Sequence, residues 1–232
     1  MTIGIGVSAG SAPGSFENSN TVTVSPAASG STFVVVGYCG VTGTTASNMT
    51  DTHGNTYTLP QGNVPTQSTN QYMNVFVCPN AVGGTGTVVT WTAPSGYFLP
   101  MQFIEITGAN TSPLDQSNHG GQVNAQFTTL NCPSITTTSA NELILGITGT
   151  VQTALSTITA TSGTLILQTQ DTTNFLSVSS SFQVVSSINS YAPTFNSTNA
   201  SYYGSVTLSF IAPSIAIPSP AIYNRKNVLY FI

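Results

Sequence analysis

Short runs of apolar and β-branched residues, separated by Gly, Pro, Asn and Ser, recur along most of the chain. The intervals between them hold turn residues and show no helical apolar period, which is typical of antiparallel sheets and not of βαβ units. The runs that we predict to be strands are Thr21–Val24, Thr32–Cys39, Asn55–Leu59, Gln71–Cys78, Thr85–Thr92, Phe98–Thr107, Gln126–Leu130, Ile135–Thr138, Glu142–Thr148, Thr164–Gln170, Phe175–Val185 and Gly204–Ile211.

Three of these runs carry a burial prediction. Phe33–Val36 and Leu143–Leu145 are continuously apolar, so we expect both faces of each strand to be buried. Val206–Phe210 alternates apolar and hydroxyl residues, which indicates a strand with one face in water.

The two halves of the chain resemble each other. The stretch from Val22 to Gly37 is a strand, a polar turn and a buried strand that ends in Gly, and the stretch from Ile135 to Gly146 repeats this order. The offset of about 105–110 residues is too long for a solenoid repeat. We therefore predict an all-β, two-sheet antiparallel β-sandwich, jelly-roll-like, in which two diverged halves interleave. Two small sandwiches side by side are the alternative.

The pattern changes near residue 213. Pro213, Pro218 and Pro220 favour an extended, polyproline-like path, because proline lacks the backbone donor that the interior of a sheet needs. We therefore divide the chain into an N-terminal arm at residues 1–19, a β-sandwich domain at 20–212 and a Pro-rich C-terminal arm at 213–232.

Charge is scarce in this chain. Charged residues make up 3% of the sequence, against about 25% in an average protein, so hydroxyl and amide groups must form much of the surface. The net charge is −4, and the only basic residues are Arg225 and Lys226. Without a basic patch the main domain has no electrostatic means of binding phosphate backbones, so we expect no nucleic acid partner.

Targeting signals are also missing from the sequence pattern. No apolar run approaches the roughly 18 residues of a membrane span, so we expect no membrane partner. The first residues lack the basic region of a signal peptide, which predicts synthesis in a cytoplasm. Cys39, Cys78 and Cys132 have no metal-binding spacing, so we expect reduced packing residues, with a single disulfide as the alternative, and no cofactor.

Few residues qualify as catalytic candidates. Gly6-Val7-Ser8-Ala9-Gly10 matches the G-x-S-x-G nucleophile elbow, but no helical sequence follows it. Asp115 and His119 lie in a predicted polar loop, where a Ser-His-Asp set would need a serine that nothing identifies. Glu105 and Glu142 are candidates for the paired acids of a glycoside hydrolase, although we favour hydrogen bonds to turns for both. We predict no catalytic residues and no enzyme activity.

Two further segments are candidates for binding. Asp51-Thr52-His53-Gly54-Asn55 has the sequence of a hairpin turn, with Gly54 at positive φ and Asp51 accepting from nearby amides, and a calcium or glycan contact through Asp51 and Asn55 is the alternative. Trp91 and Tyr97 are candidates for glycan stacking, and packing in the core or at an interface is the alternative we favour.

The C-terminal segment is the sharpest feature of the sequence. Five consecutive apolar residues cannot remain in water on a protein with so few charges, so we expect them to bind a partner's sheet edge or groove, or else to dock on the chain's own body. Arg225 and Lys226 precede them and can pair with acids. These apolar residues are Val228, Leu229, Tyr230, Phe231 and Ile232.

Four motifs point to a family. Together they resemble β-sandwich modules of phage virion surface proteins (capsid decoration, cement or fibre proteins) and of bacterial surface or secreted repeat proteins. The motifs are Asp51-Thr-His-Gly-Asn-Thr-Tyr-Thr, Val75-Phe-Val-Cys, Val88-Val-Thr-Trp-Thr and Ile104-Glu-Ile-Thr-Gly. The resemblance covers residues 20 to 212, and its motifs are structural, so it implies a fold and brings no catalytic residues.

The charge-poor surface, rich in Ser, Thr and Asn, also resembles that of phage capsid decoration proteins and fibres, and this second resemblance implies a function. We expect a non-enzymatic virion structural protein, a capsid decoration or cement subunit that its terminal arms attach to the particle. Its partners would be the major capsid protein or other virion subunits, and we expect a homo-oligomer, with a trimer favoured. Such a protein is made in the host cytoplasm without a signal peptide and then lies on the virion surface. A carbohydrate-binding adhesin module of a phage fibre or a bacterial surface protein is the alternative.

Overall fold

The computed structural model describes residues 2–14, 17–27, 29–39, 48–67, 71–92 and 98–213. Within these ranges the chain forms strands and no helix, which confirms the all-β prediction. The strands are β1 (Gly4–Ser11), β2 (Ser19–Val24), β3 (Ser29–Cys39), β4 (Asn48–Asp51), β5 (Thr58–Gln67), β6 (Gln71–Val82), β7 (Thr87–Thr92), β8 (Phe98–Thr107), β9 (Leu114–Asn131), β10 (Ile135–Thr136), β11 (Glu142–Val151), β12 (Ile158–Ala160), β13 (Thr164–Asp171), β14 (Leu176–Val185), β15 (Ser190–Tyr191) and β16 (Thr194–Ile211).

The strands form four antiparallel sheets. In the first half of the chain, a large sheet has the order β1-β8-β3-β6-β5, and a small sheet has the order β2-β7-β4. In the second half, a large sheet has the order β12-β16-β11-β14-β13, and β9 also pairs with β16. A small sheet of β10 and β15 completes the second half.

The strand orders show that the two halves are duplicates in topology. The order β1-β8-β3-β6-β5 of the first large sheet corresponds to β9-β16-β11-β14-β13 in the second, and the pair β2-β7 corresponds to β10-β15. Gly37 and Gly146 occupy equivalent positions on the central strands, where their cross-strand partners are Met101 and Thr207. The resemblance between the halves that the sequence indicated is therefore a repeat of structure.

The halves do not interleave as we predicted. No sheet in the described ranges draws strands from both halves, so each half contributes one complete large sheet. Short connections favour pairing between strands that are close in sequence, and each half can complete its own sheets. The sheet orders confirm the antiparallel β-sandwich. They do not establish the jelly-roll topology.

One hydrophobic core nevertheless joins the two halves. It lies between the two large sheets and takes buried residues from β3, β5, β6 and β8 on one side and from β11, β14 and β16 on the other. The apolar side chains on facing strands exclude water from both sheets, which stabilises the chain as one body. Those with no exposed surface include Val34, Val36, Ile104, Ile106, Leu143, Leu145, Ile147, Val206, Leu208 and Phe210.

The edge strands of one large sheet contact edge strands of the other in a symmetric pattern. The edge strand β1 of the first sheet contacts β13, and the edge strand β5 contacts β9 of the second sheet. Exchanging the halves turns the first of these contacts into the second. This exchange of contacts is the pattern that an approximate two-fold relation between the halves would produce, as in an isologous dimer.

The outer faces of the large sheets differ between the halves. In the first half the small sheet covers an apolar cluster that includes Phe33, Val35, Val89 and Trp91. Both faces of β3 are therefore buried, as predicted for Phe33–Val36, and the same prediction is confirmed for Leu143–Leu145, where every residue has no exposed surface.

In the second half the covered face carries hydroxyl groups. Thr207 and Ser209 have no exposed surface, so the prediction that the strand Val206–Phe210 has one wet face is wrong. The hydroxyl of Thr207 donates to the Pro133 carbonyl at 2.6 Å, and Ser209 Oγ accepts from the Gln116 amide at 3.2 Å. Hydrogen bonds to neighbouring backbone allow the polar side chains to be buried, and the alternating pattern alone does not reveal this.

Two boundaries predicted from the sequence are wrong. Gly4–Ser11 form strand β1, and Ile3 is 3% exposed in the main core, so residues 1–19 are not an arm. The segment Ser112–Gly121 was predicted as a polar loop, but most of it belongs to strand β9. Edge strands have a neighbour on one side only and carry many polar residues, so they lack the apolar alternation that identifies a strand.

Candidate functional site

The Asp51 turn is a closed hydrogen-bonded unit. Asp51 Oδ1 accepts from the amides of His53 at 2.9 Å and Asn55 at 3.1 Å, and Gly54 has a φ of 70°. Asp51 Oδ2 accepts from Asn55 Nδ2 at 2.7 Å and from the Tyr57 hydroxyl at 2.8 Å. Asn55 in turn bonds both backbone groups of Val82. The hairpin-turn prediction is therefore confirmed, and the carboxylate is occupied by protein donors.

The electrostatics of this turn follow from those bonds. Burial alone would raise the pKa of Asp51, but the hydrogen bonds from Asn55, Tyr57 and His53 outweigh it and hold the pKa below its usual value. Burial raises the pKa of Tyr57 strongly, and its bond to the Asp51 carboxylate adds to the effect. At neutral pH the tyrosine therefore donates and the aspartate accepts.

Glu105 acts as an internal anchor. Its side chain is 2% exposed, so no substrate can reach it in the folded chain. Oε1 accepts from the Ser31 hydroxyl at 2.6 Å and from the Ala27 amide at 2.8 Å, and Oε2 accepts from the Val7 amide at 3.0 Å. The carboxylate thus joins β8 to β1 and to the turn between β2 and β3, which is the structural role that the sequence favoured.

Glu142 and Asp115 form a carboxyl pair at the start of β11. Glu142 has no exposed surface, and its Oε1 accepts from the Ser139 amide at 2.9 Å. Asp115 Oδ2 accepts from the Thr138 amide at 2.8 Å. Burial, together with the neighbouring Asp115 charge, raises the pKa of Glu142, whereas hydrogen bonds from Thr138 and Glu142 hold the pKa of Asp115 below its usual value despite burial. The pair therefore retains a proton on Glu142 more readily than an isolated glutamate would.

The structure does not bring the other catalytic candidates together. Ser8 lies on edge strand β1 with no helix after it, so the G-x-S-x-G match is not a nucleophile elbow. His119 lies on β9, where Nδ1 is 2.6 Å from Gln61 Oε1 on β5. His53, in the Asp51 turn, has its Nε2 3.0 Å from the Thr87 hydroxyl on β7. His119 therefore links β9 to β5, and His53 links the turn to β7.

Of the two aromatic residues proposed for glycan contact, Trp91 is in the core. Its side chain has no exposed surface and packs with the apolar cluster of the first half. A ring without an exposed face cannot stack on a sugar, so the proposed glycan contact of Trp91 is wrong and core packing is what the structure shows. Tyr97 lies outside the described residues.

The cysteines that the structure describes are buried thiols. Cys78 and Cys132 are both free, as expected for reduced packing residues. Burial raises the pKa of Cys78 to about 11, with a further contribution from the Asp51 charge, and raises that of Cys132 to about 12. Both are protonated at neutral pH and are poor nucleophiles.

The predicted binding segment Arg225–Ile232 lies outside the described residues, the last of which is Pro213, two residues after the end of β16. The Ile211 amide donates to the Pro113 carbonyl at 2.7 Å, and the Ala212 amide donates to the Asn141 carbonyl at 3.1 Å. These bonds attach the end of β16 to the β8–β9 connection and to the turn before β11. A shallow pocket beside this point is lined by Thr58, Val77, Pro79, Ser112, Pro113 and Leu114.

Sequence reasoning missed one feature of this region. It treated Asp115 and Glu142 separately, and the structure pairs them because β9 and β11 flank the same strand, β16. No signal within either segment indicates this pairing.

Comparisons with known proteins return no relatives. No family model matches the sequence, and neither a curated protein nor a solved structure matches it. In the described part of the chain, no group of three or more His, Cys, Asp or Glu side chains is placed to hold a metal ion. No helix in the same ranges is long and apolar enough to cross a membrane.

Proposed function

We propose that this chain is a non-enzymatic structural protein of a virion surface, a capsid decoration or cement subunit. The observation that carries the proposal is the use of charge in the body. The carboxylates with described hydrogen bonds bind turns and strands of the chain itself, so they are not offered to a substrate or a charged partner. These carboxylates are Asp51, Glu105, Asp115, Glu142 and Asp171.

The proposal assigns attachment to the segment after β16. Arg225 and Lys226 are the only cationic side chains of the protein, and the apolar run Val228–Ile232 follows them directly. The last described strand before this segment, β16, is held at its end by the bonds of Ile211 and Ala212. A segment with this chemistry can bind a groove or a sheet edge of a neighbouring subunit, while the rigid body covers the surface beside it.

The rest of the body suits a protective cover. Few groups titrate between acidic and neutral pH, so folding stability depends weakly on pH. The two halves share one apolar core, which supports a cover that folds as a single body. We propose that the partner is the major capsid protein or another virion subunit. We also propose that the chain forms a homo-oligomer, with a trimer favoured, and lies on the virion surface. The adhesin alternative is weaker because Trp91 is buried.

The test removes the attachment segment and leaves the body intact. The full chain should sediment with purified virus particles from its host, and a variant that lacks Tyr223–Ile232 should fold but remain in the supernatant. The double variant Arg225→Ala/Lys226→Ala should bind with a weaker dependence on salt, because it removes only the ionic part of the contact. A truncated chain that still occupies the particles fully would show that attachment lies elsewhere.

A matched control distinguishes attachment from folding. Leu165→Ser replaces an apolar side chain on the body that is 37% exposed, so it should leave both folding and particle binding unchanged. If the full chain itself fails to sediment with any particle, the proposed function is wrong.

A further inference from the structure

The loop between β11 and β12 covers a polar face in the second half. Gln168 and Gln170 of β13 both donate from Nε2 to the Ser156 carbonyl, at 2.8 and 2.6 Å. The Ile158 amide donates to Gln168 Oε1 at 3.2 Å. The loop from Gln152 to Ile158 is therefore held over the large sheet by amide side chains, where the first half uses an apolar cluster.

Hydroxyl groups form the floor beneath this loop. The cross-strand partners of Ser177 on β14 are Thr150 and Gln170, and those of Ser179 are Thr148 and Gln168. Thr150 Oγ1 is 2.6 Å from Ser177 Oγ and accepts from Gln152 Nε2 at 2.8 Å. The side chains of these two adjacent sets of cross-strand neighbours therefore lie between the sheet and the loop that covers it.

Three polar atoms of this loop and of the strand beneath it have no hydrogen-bond partner among the residues that the structure describes. They are Gln152 Oε1, Ser156 Oγ and Ser179 Oγ. Their residues are 6%, 2% and 0% exposed, so bulk water does not reach them. A buried polar atom without a partner is costly, and native proteins satisfy such atoms with protein groups or with ordered water.

We infer that this region is a binding site for ordered internal water, which bridges Gln152 Oε1, Ser156 Oγ and Ser179 Oγ. A buried water molecule typically makes about three hydrogen bonds to otherwise unpartnered groups, which matches the atoms available here. The inference is independent of the proposed function. It also explains how the second half can bury hydroxyl groups on a face where its own apolar cluster is smaller than that of the first half.

A crystal structure that resolves ordered water tests the inference directly. We expect water within hydrogen-bonding distance of at least two of the three atoms, both in the wild-type chain and in the control variant Ser180→Ala. Ser180 lies on the same strand as Ser179 but on the opposite face, so its hydroxyl is outside the network. A wild-type structure in which the region is dry, or in which protein groups satisfy all three atoms, would overturn the inference.

The variant Ser179→Val provides a second test, in which the direction of the change in Tm distinguishes a hydrated site from a dry one. Its methyl groups would expel the water and leave Gln152 Oε1 and Ser156 Oγ without partners, so we expect a Tm about 2–4 °C below that of the wild type. In a dry site the same substitution would replace an unpartnered hydroxyl with apolar contacts, and the Tm would rise.

Discussion

The indole ring of Trp91 lies directly against the backbone of Gly37. A Cβ atom built on Gly37 would lie 2.7 Å from Trp91 Cε3, which is closer than real Cβ contacts come. Gly37 is on the central strand of the first large sheet, and Trp91 is on the small sheet that covers it. The equivalent residue of the second half, Gly146, has Pro193 in the same relation, because a Cβ on Gly146 would collide with Pro193 Cβ. In both halves the missing side chain allows a ring to pack onto the strand.

Gly37→Ala should destabilise the fold. The added methyl group must displace the Trp91 ring in a fully buried layer, and overpacking of this kind costs about 1–3 kcal/mol. Chemical denaturation measures the loss. Gly4→Ala is the matched control, because a Cβ on Gly4 meets nothing within 4 Å and should change the stability little. Equal stabilities of the two variants would contradict the close packing of Trp91.

Glu105→Gln should also destabilise the chain. Both carboxylate oxygens accept hydrogen bonds, and an amide in their place would turn an NH₂ group toward a backbone donor. Leaving a buried donor unsatisfied costs about 1–3 kcal/mol, and we expect a loss of that size in equilibrium unfolding. Gln126→Glu makes the reverse change, amide to carboxyl, at an exposed position of β9 and should stay within about 0.5 kcal/mol of the wild type. A neutral Glu105→Gln would mean that the three bonds contribute little.

Glu142→Gln should stabilise the protein at neutral pH. The pKa of Glu142 is raised in the folded chain by burial and by Asp115, so the folded state holds the proton more tightly than the unfolded state does. Its contribution to stability is therefore fully present below the unfolded pKa, about 4.3, and is lost as the pH rises through the folded pKa. Glutamine stays neutral throughout and avoids this loss.

The measurement is the free energy of unfolding from pH 3 to pH 8. The stability gained by Glu142→Gln should grow as the pH rises above the pKa of an ordinary glutamate. It should disappear at the acidic end of the range. The contribution of Asp115 to stability has the opposite pH dependence, because its pKa is lowered in the folded chain and the stability this adds is lost on acidification. A gain that is the same at every pH would show that ionisation of Glu142 is not its cause.

Cys78 and Cys132 should resist thiol reagents until the chain unfolds. Both are buried, and their pKa values of about 11 and about 12 leave almost no thiolate at pH 8. In a Cys39→Ser background, a disulfide reagent should release chromophore slowly from native protein and rapidly in denaturant. Fast labelling without unfolding would contradict the burial of both thiols.

The elements predicted most accurately are those with strong local patterns. The strand Phe98–Thr107 has the predicted bounds, and the Asp51 turn has the predicted positive φ at Gly54 and the predicted acceptor. These features depend on interactions within a few residues, which adjacent side chains are enough to specify. The repeat of the two halves was visible for the same reason, since equivalent strands keep similar patterns.

The elements predicted poorly depend on what lies across the sheet. Strand β1 and much of β9 were missed because an edge strand is identified by its neighbour, and their own residues are largely polar. Asp115 and Glu142 come together only because both flank β16. For Trp91 the sequence favoured packing in the core or at an interface and left glycan stacking open, and the close approach of its ring to Gly37, 54 residues away, shows that it faces the core.

The sequence by itself therefore determined the all-β class, most strands, the main turn and the duplication of the chain, because apolar period and turn chemistry are local. Only the tertiary structure decided that each half forms its own sheets, that the two large sheets share a core, and that the hydroxyl face of the second half is buried. The physical reason is that burial belongs to a pair of surfaces. A strand that alternates Thr or Ser with apolar residues has the same pattern in water and beneath a covering loop, and only the partner surface distinguishes the two.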